Sequence, residues 1–531
     1  MAGDAAGITT PDTAPRAWRW RRGLVLAAAL GALQTATYVA TGAWWLQLAC
    51  IGVLAGQAAR TAPRQAALVG LGFGTAWIGA GTWWLFISMH RYGGLPAWMA
   101  ALAVLGLAAM LSLYLALALA TFAWGRSGRP LADAALFAAL WLLAELARGV
   151  IFTGFPWLAS GYAQVDGPLA RLAPWVGVYG IGFVAAGLAA WAAFALLESG
   201  SRARRRADGL AGTAAVLAAL ALAPAADFTR PTGTLSVTLL QGNIPQEEKF
   251  ETTRQAAALE WHLRSLLAAR SDLVVAPETS IPFPPQEMPE GVWDGLQARF
   301  ATGTTAALLG VPLGDDQVGY TNSAAGFAPG QPPYRYDKQH LVPFGEFIPP
   351  GFHWFTRLMN IPLGDFNRGP LAAPSLRVGS QRLAPNICYE DLFGEELAAR
   401  FEDVANAPTI LANISNIGWF GESSAVDQHL QISRMRTLEL QRPMLRATNT
   451  GATVVIDHHG QVLERLAPYT RGVLEARVQG REGMTPFAHW ASRFGLWPLG
   501  VAAALVVAWA AWRRRRSAGV LTAPDAPDAA H

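Results

Sequence analysis

The sequence is poor in residues that usually hold metals or cofactors. It has two cysteines and nine histidines in 531 residues, with no HExxH pattern and no paired CxxC spacing. His458 and His459 are adjacent, and we interpret them as a loop doublet. The sequence also has no glycine-rich loop of the kind that cradles phosphates. It therefore indicates no metal, no nucleotide and no other cofactor.

Charged residues are also scarce, at 15% of the chain, whereas 52% of the residues are hydrophobic. This composition excludes a purely soluble protein. The apolar residues are concentrated at the two ends of the chain, and the segment between them has the composition of a soluble α/β protein. We predict a transmembrane bundle at 1–227, a soluble domain at 228–485, and a last transmembrane helix with a cytoplasmic tail at 486–531.

Stretches of about 20 apolar residues are long enough to span a bilayer. Eight such stretches predict a polytopic α-helical bundle, near residues 23–40, 43–59, 66–88, 97–124, 131–149, 172–197, 209–226 and 494–512. Tryptophans near their ends are interpreted as an interfacial belt. These are Trp44, Trp45, Trp83, Trp84, Trp98 and Trp175.

Arginines are distributed unevenly between the loops of this predicted bundle. Sixteen lie in alternate loops, and three lie in the opposite loops. Because short, positively charged loops stay in the cytoplasm, both termini are expected there, with the soluble segment on the outer side. The net charge of +4 follows from this topology, and no basic patch indicates nucleic acid.

The fifth predicted span carries two charged residues near its end, Glu145 and Arg148. Their spacing of three places them on one helix face, where they are expected to pair. The aromatic loop at 153–157 follows them. Two interpretations of this loop stay open, which are an interfacial turn and a lip where a lipid tail meets the soluble domain.

Alternating strand and helix signals predict a layered α/β domain after residue 228. The predicted strands are 234–241, 271–276, 306–311, 323–327, 383–387, 409–414, 444–448 and 453–457. The predicted helices are 253–269, 393–403 and 427–441. Residues at strand ends converge on a site in such sheets.

Cys388 directly follows one of these strands and precedes acidic residues and a helix-like segment. At the amino end of a helix a thiol is accessible and its thiolate is favoured. The pattern therefore favours a nucleophile, and the alternative is a small buried hydrophobe.

Glu278 ends another strand, and Lys338 lies in a third informative stretch. The chain has two lysines against thirty-nine arginines, so Lys338 is expected to do what a guanidinium cannot, such as packing against an oxyanion or a thiolate. The alternative is a surface lysine. Glu346 is expected to orient Lys338 or to serve as a second carboxylate, and His340 is interpreted as structural.

The three residues Glu278, Lys338 and Cys388 lie 60 and 50 residues apart, which resembles the Glu-Lys-Cys triad of the nitrilase superfamily and implies its αββα sandwich fold. The segments APETSIP, KQHLVPFGEFIP and NICYEDLF, together with the eight spans, resemble the apolipoprotein N-acyltransferase family. The segments GNIPQ, TGFPW and RATNTG are also similar to that family. The likeness covers nearly the whole chain.

The resemblance implies that Glu278 is the base, Lys338 the cation that stabilises an oxyanion, and Cys388 the nucleophile. It assigns supporting roles in the site to four more residues, which are Glu346, Tyr389, Glu390 and Phe250. Phe250 stands where the family often has tryptophan. Ile417 replaces the aspartate of the family's SNDAWFG segment, which leaves no role for a carboxylate there.

The resemblance further implies an enzyme of the bacterial inner membrane with a periplasmic catalytic domain, acting as a monomer. It would transfer a fatty acyl chain from a phospholipid, through a cysteine thioester, to the α-amino group of the N-terminal diacylglyceryl-cysteine of apolipoproteins. Two alternatives remain. One is a membrane-tethered nitrilase-type amidase that hydrolyses a small amide, and the other is a transporter or lipid scaffold without catalysis.

Overall fold

The computed structural model describes residues 16–197, 203–224, 226–246, 252–352 and 365–520. Within these residues seven long helices precede residue 227, and we call these helices and the loops between them the bundle. The helices are α1 (Arg16–Gln34), α2 (Trp44–Ala58), α3 (Pro63–Gly81), α4 (Ala97–Gly125), α5 (Pro130–Val150), α6 (Ala173–Leu197) and α7 (Ala203–Leu222). Two more helices, α12 (Pro486–Phe494) and α13 (Trp497–Val520), end the described chain.

A helix lies at each of the eight positions predicted as spans, but fewer of them are long and apolar enough to cross a bilayer. Of the described helical segments, three meet this condition, at Ala97–Gly125, Pro130–Thr153 and Pro168–Leu197. A fourth is added if the pair Pro486–Phe494 and Trp497–Arg516, bent by 89°, counts as one span. The membrane bundle is therefore confirmed in part. The predicted pairing of Glu145 with Arg148 is present at 3.4 Å.

The segment between the bundle and α12 forms two six-stranded sheets, which we call the sandwich. In chain order the strands, numbered β1 to β12, are Thr229–Gln241, Leu273–Val275, Ala306–Asp315, Gly319–Phe327, Tyr334–Asp337, Leu376–Val378, Gln381–Ile387, Ile410–Ser415, Met444–Thr448, Val454–Ile456, Val462–Arg465 and Gly472–Gly483. The first sheet has the order β12-β1-β2-β3-β4-β5, and the second has the order β11-β10-β9-β8-β7-β6. The described helices of the sandwich are α8 (Thr252–Ala268), α9 (Val292–Ala301), α10 (Gly394–Ala398) and α11 (Ala425–Leu440).

Central strands β1, β2 and β3 run parallel, as do β7, β8 and β9, and the outer strands pair antiparallel. Buried aliphatic side chains from both sheets, such as Val237 and Ile387, form the core between them. Helices α8 and α9 cover the outer face of the first sheet. This layering confirms the predicted αββα sandwich.

The outer face of the second sheet packs, through α11, onto the bundle. Leu430 and Met435 of α11 share one hydrophobic cluster with Trp157 and Ile181 of the bundle. The burial of these apolar side chains in one cluster stabilises the contact between the sandwich and the bundle. Trp84 belongs to the same cluster and is 1% exposed, so its assignment to an interfacial belt is wrong.

Every predicted strand and helix of the sandwich is present, with shifted ends. Four strands were not predicted, namely β5, β6, β11 and β12. Strand β6 has three residues, which is too short for a periodic signal. Strand β12 does alternate in burial and pairs along β1, so its pattern was readable.

Candidate active site

Cys388 lies where β7 ends, as predicted, and its backbone adopts φ +54°. This left-handed conformation is unfavourable for a residue with a side chain and indicates that neighbours hold it. Two side chains donate hydrogen bonds to the Cys388 carbonyl, Asn413 Nδ2 and His429 Nε2, each at 3.2 Å. The strained turn leaves the Cys388 residue partly exposed.

Glu278 follows β2 and packs against the middle of β3. A Cβ at Gly310 of β3 would lie 2.6 Å from the Glu278 Cα, so only glycine allows this approach. One carboxylate oxygen of Glu278 accepts the Asn416 backbone N–H at 2.8 Å. Since Asn416 comes directly after β8, the ends of strands from both sheets meet at Glu278.

Lys338 follows β5 and is fully buried, which rules out the surface-lysine alternative. Its Nζ lies 2.9 Å from Glu346 Oε1 and 3.4 Å from Glu278 Oε1. Asn322 Nδ2 donates to the same two oxygens, at 2.7 Å for Glu278 and 2.6 Å for Glu346. The two carboxylates therefore share one ammonium and one amide, which offsets their mutual repulsion.

The charges of this cluster act on the thiol. Burial disfavours the Lys338 ammonium, but Glu346 and Glu278 outweigh it and raise the pKa of that group. Burial and Glu278 raise the pKa of the Cys388 thiol and Lys338 lowers it, and together they bring that pKa to about 12. Cys388 is therefore a thiol at neutral pH and needs a base to react.

The expected stabilisation of a thiolate by a helix is wrong. Cys388–Leu392 forms a five-residue 3-10 turn, and the following α10 also has five residues. Such short elements carry little of the dipole that a long helix would present to the sulfur. Burial and the nearby carboxylate decide the pKa instead.

Glu390 joins the strand of the nucleophile to the strand of the lysine. It accepts hydrogen bonds from Ile387 N at 2.6 Å, from Gln339 N at 2.7 Å and from the Tyr336 hydroxyl at 2.8 Å. Burial raises the pKa of Glu390 despite these bonds. The carboxylate thus ties the turn at Cys388 to the backbone directly after Lys338.

Tyr389 connects the site to the bundle, because its hydroxyl donates to the Gly154 carbonyl at 3.0 Å. His340 stacks on Phe393 at 3.5 Å and bonds Glu396 at 2.9 Å, which agrees with its structural interpretation. Phe250 lies outside the described residues.

Covalent acyl transfer requires a nucleophile, a base and a positive charge that stabilises an oxyanion. The thiol of Cys388, the carboxylate of Glu278 and the ammonium of Lys338 are such groups, and their charges interact. The chain matches two family models, which are the apolipoprotein N-acyltransferase N-terminal domain at residues 30–191 and carbon-nitrogen hydrolase at residues 236–485. An apolipoprotein N-acyltransferase of Verminephrobacter eiseniae is 52% identical over 512 residues, covering 90% of this chain and 93% of the relative. One from Ralstonia nicotianae is 48% identical, covering 98% of both chains.

The chain belongs to the apolipoprotein N-acyltransferase family. Among solved structures, a CN-hydrolase superfamily protein from Xanthomonas campestris aligns at 19% identity with a TM-score of 0.36, covering 50% of this chain and 96% of that one.

Four polar residues of the candidate site were not singled out from the sequence. Asn322 bridges the two carboxylates, Asn416 donates its N–H to Glu278, and both Asn413 and His429 donate to the Cys388 carbonyl. Asn322 lies in β4 but directly before the predicted strand 323–327, so its burial in the sheet was not visible in the sequence. Asn416 contacts Glu278 through its backbone N–H, so its residue type gives no sign of this contact.

We expect the alkylation rate of Cys388 to keep rising toward pH 12 with no plateau near 8.5, the ordinary pKa of cysteine. The raised pKa also adds stability below about pH 8.5, which is lost as pH rises through 12. Iodoacetamide labelling in a Cys50→Ala background measures the rate at this single thiol. Glu278→Gln is expected to move the curve to lower pH, because the carboxylate no longer opposes the thiolate. A wild-type plateau near 8.5 would contradict the assigned electrostatics.

Proposed function

We propose that this chain transfers a fatty acyl chain from a phospholipid to the free α-amine of the N-terminal diacylglyceryl-cysteine of an apolipoprotein, through a thioester on Cys388. Relatives that match almost the full chain carry the name of this activity. The observation that carries the proposal is the position of the nucleophile. Cys388 lies beside Glu278 and Lys338 and, through Tyr389, directly on the bundle.

In the first half-reaction Glu278 takes the proton of the Cys388 thiol as the sulfur attacks the ester carbonyl of the phospholipid. The Lys338 ammonium stabilises the negative charge on the tetrahedral oxygen. The C–O ester bond then breaks, and the alkoxide leaving group takes the proton from Glu278. Lysophospholipid departs, and the acyl chain stays on the sulfur.

In the second half-reaction the α-amine of the acceptor attacks the thioester carbonyl. Glu278 accepts a proton from the amine, Lys338 again stabilises the oxyanion, and the C–S bond breaks. The proton on Glu278 returns to the Cys388 sulfur. An amide forms and the thiol is restored. The phospholipid and the apolipoprotein therefore bind one after the other.

Glu346, Glu390 and Tyr389 are proposed to support these steps. Glu346 orients Lys338 through the 2.9 Å contact, and Glu390 links the segments that carry Lys338 and Cys388. Tyr389 attaches the nucleophile turn to the loop after α5. Phe250 is proposed to line the substrate path, as the resemblance implies.

The proposed topology has eight crossings, both termini in the cytoplasm and the sandwich on the periplasmic side of the inner membrane, in a monomer. The arginine distribution supports this orientation. A site at the bilayer surface also suits the two proposed substrates, because both are anchored in the outer leaflet. The proposed domain boundaries after residues 227 and 485 follow from the same assignment of membrane spans.

Purified protein in detergent, given phospholipid and an N-terminal diacylglyceryl-cysteine peptide, is expected to release lysophospholipid and to add one acyl chain to the peptide. Peptide with an acetylated α-amine is the matched control and should stay unmodified. Hydrolysis of small amides without acylation of the peptide would instead favour the amidase alternative.

A further inference from the structure

Gln428 of α11 is a buried polar residue at the contact between the sandwich and the bundle. Its side-chain oxygen accepts two indole N–H groups, from Trp84 at 3.1 Å and from Trp157 at 2.8 Å. Its side-chain nitrogen donates to the Gly81 carbonyl at the end of α3, at 3.0 Å. All three partners belong to the bundle. We call Gln428, Trp84 and Trp157 the indole clamp.

One side of the indole clamp leads to the nucleophile. The Trp157 ring lies 5.6 Å from the ring of His429, which follows Gln428 on α11. The N–H at His429 Nε2 is shared between Asp391 Oδ1 at 2.8 Å and the Cys388 carbonyl at 3.2 Å. His429 Nδ1 lies 2.7 Å from an Arg446 guanidinium nitrogen. Because a guanidinium can only donate, Nδ1 is the acceptor and Nε2 carries the proton. The indole clamp therefore packs against an imidazole that Asp391 and Arg446 hold in place and that contacts the strained turn at Cys388.

The other side of the indole clamp leads to the base. The Trp84 ring lies 4.3 Å from Phe420, at the end of the short turn Ile417–Phe420. The residue before this turn is Asn416, whose backbone N–H donates to Glu278 and whose side chain accepts from Asn449 at 3.0 Å. A shift of Trp84 would thus move the segment that holds the carboxylate.

We propose that Gln428 is a positioning residue, which sets the geometry of Cys388 and Glu278 through the two indoles of the bundle. The site is then competent only while the sandwich is seated on the bundle. The proposal rests on the proposed function for the identity of the acyl step. The relative placement of thiol and carboxylate is measurable without any lipid.

The test replaces Gln428 with methionine, which keeps a similar volume and removes all three hydrogen bonds. Thioester formation is expected to slow about 100-fold, because misplacement by about 1 Å has this effect, with little change in the KM for phospholipid. Trp84→Phe keeps a ring and loses one N–H, and a loss of about 10-fold is expected. In both variants the iodoacetamide curve of Cys388 should move to lower pH, because Glu278 is farther from the sulfur.

Trp490→Phe is the matched control, since the indole of Trp490, in α12 directly after the sandwich, also donates a hydrogen bond to the bundle, at the Trp175 carbonyl at 2.9 Å. It should acylate and alkylate like the wild type. Wild-type rates and curves in the Gln428→Met and Trp84→Phe variants would overturn the proposal, as would an equal loss in Trp490→Phe. If Gln428→Met does not fold, the more conservative Trp84→Phe decides. A wild type without a thioester would refute the proposed function, while the alkylation curves would still report on positioning.

Discussion

A Cys388→Ala variant is expected to lose acyl transfer to a diacylglyceryl peptide by about 10⁴-fold or more, because the acyl group then has no covalent carrier. The alanine replaces a residue that is partly exposed and leaves Glu278 and Lys338 paired, so folding should be little affected. Transfer of a fluorescent acyl chain from phospholipid to the peptide measures the rate. Thermal unfolding in detergent reports the fold.

Cys50→Ala is the matched control for this experiment, since Cys50 is the other cysteine and lies buried in α2. This variant should transfer at the wild-type rate. Substantial transfer by the Cys388→Ala variant would mean that the acyl chain passes directly between the two lipids, or through another residue.

The second large effect is expected at Lys338. In Lys338→Met, the carboxylates of Glu278 and Glu346 lose the ammonium that lies 3.4 Å and 2.9 Å from them. Breaking a buried ion pair typically costs about 3–5 kcal/mol, because an uncompensated charge stays in the interior. Loss of the oxyanion partner should also slow acylation by about 10²–10³-fold. Transfer rate and thermal unfolding measure the two effects on one preparation.

Lys338→Arg separates charge from shape. The guanidinium keeps the positive charge, but its planar fork is larger than an ammonium and enters a fully buried position. Stability should recover in part, while transfer stays low. If Lys338→Arg restored the full rate, the expectation that Lys338 does what a guanidinium cannot would be wrong. Any positive charge at this position would then be sufficient.

Residue type and spacing predicted which groups lie close together, but they did not predict the environment of those groups. Glu278 and Cys388 were predicted after strands, and they lie there; these strands could be recognised because β2 is wholly apolar and most residues of β7 from Leu383 onward are apolar. The raised pKa of Cys388 was not predicted. It depends on burial and on a carboxylate 110 positions away in the chain, and local sequence carries neither.

Contacts between the bundle and the sandwich were also beyond the sequence. Trp84 was assigned to a membrane belt because tryptophans near span ends usually lie there. In the structure it packs between Trp157 and Phe420 and bonds Gln428. These partners are separated from it by up to 344 positions, so periodicity and propensity had no means to pair them.

The most direct test of the account is the intact mass of the wild-type protein after incubation with phospholipid alone. We predict one added acyl chain, located on Cys388 by fragmentation, which disappears when an N-terminal diacylglyceryl peptide is added and reappears as an acyl mass on that peptide. Transfer to the peptide without any acyl mass on the protein, or with the adduct on a residue other than Cys388, would contradict the account.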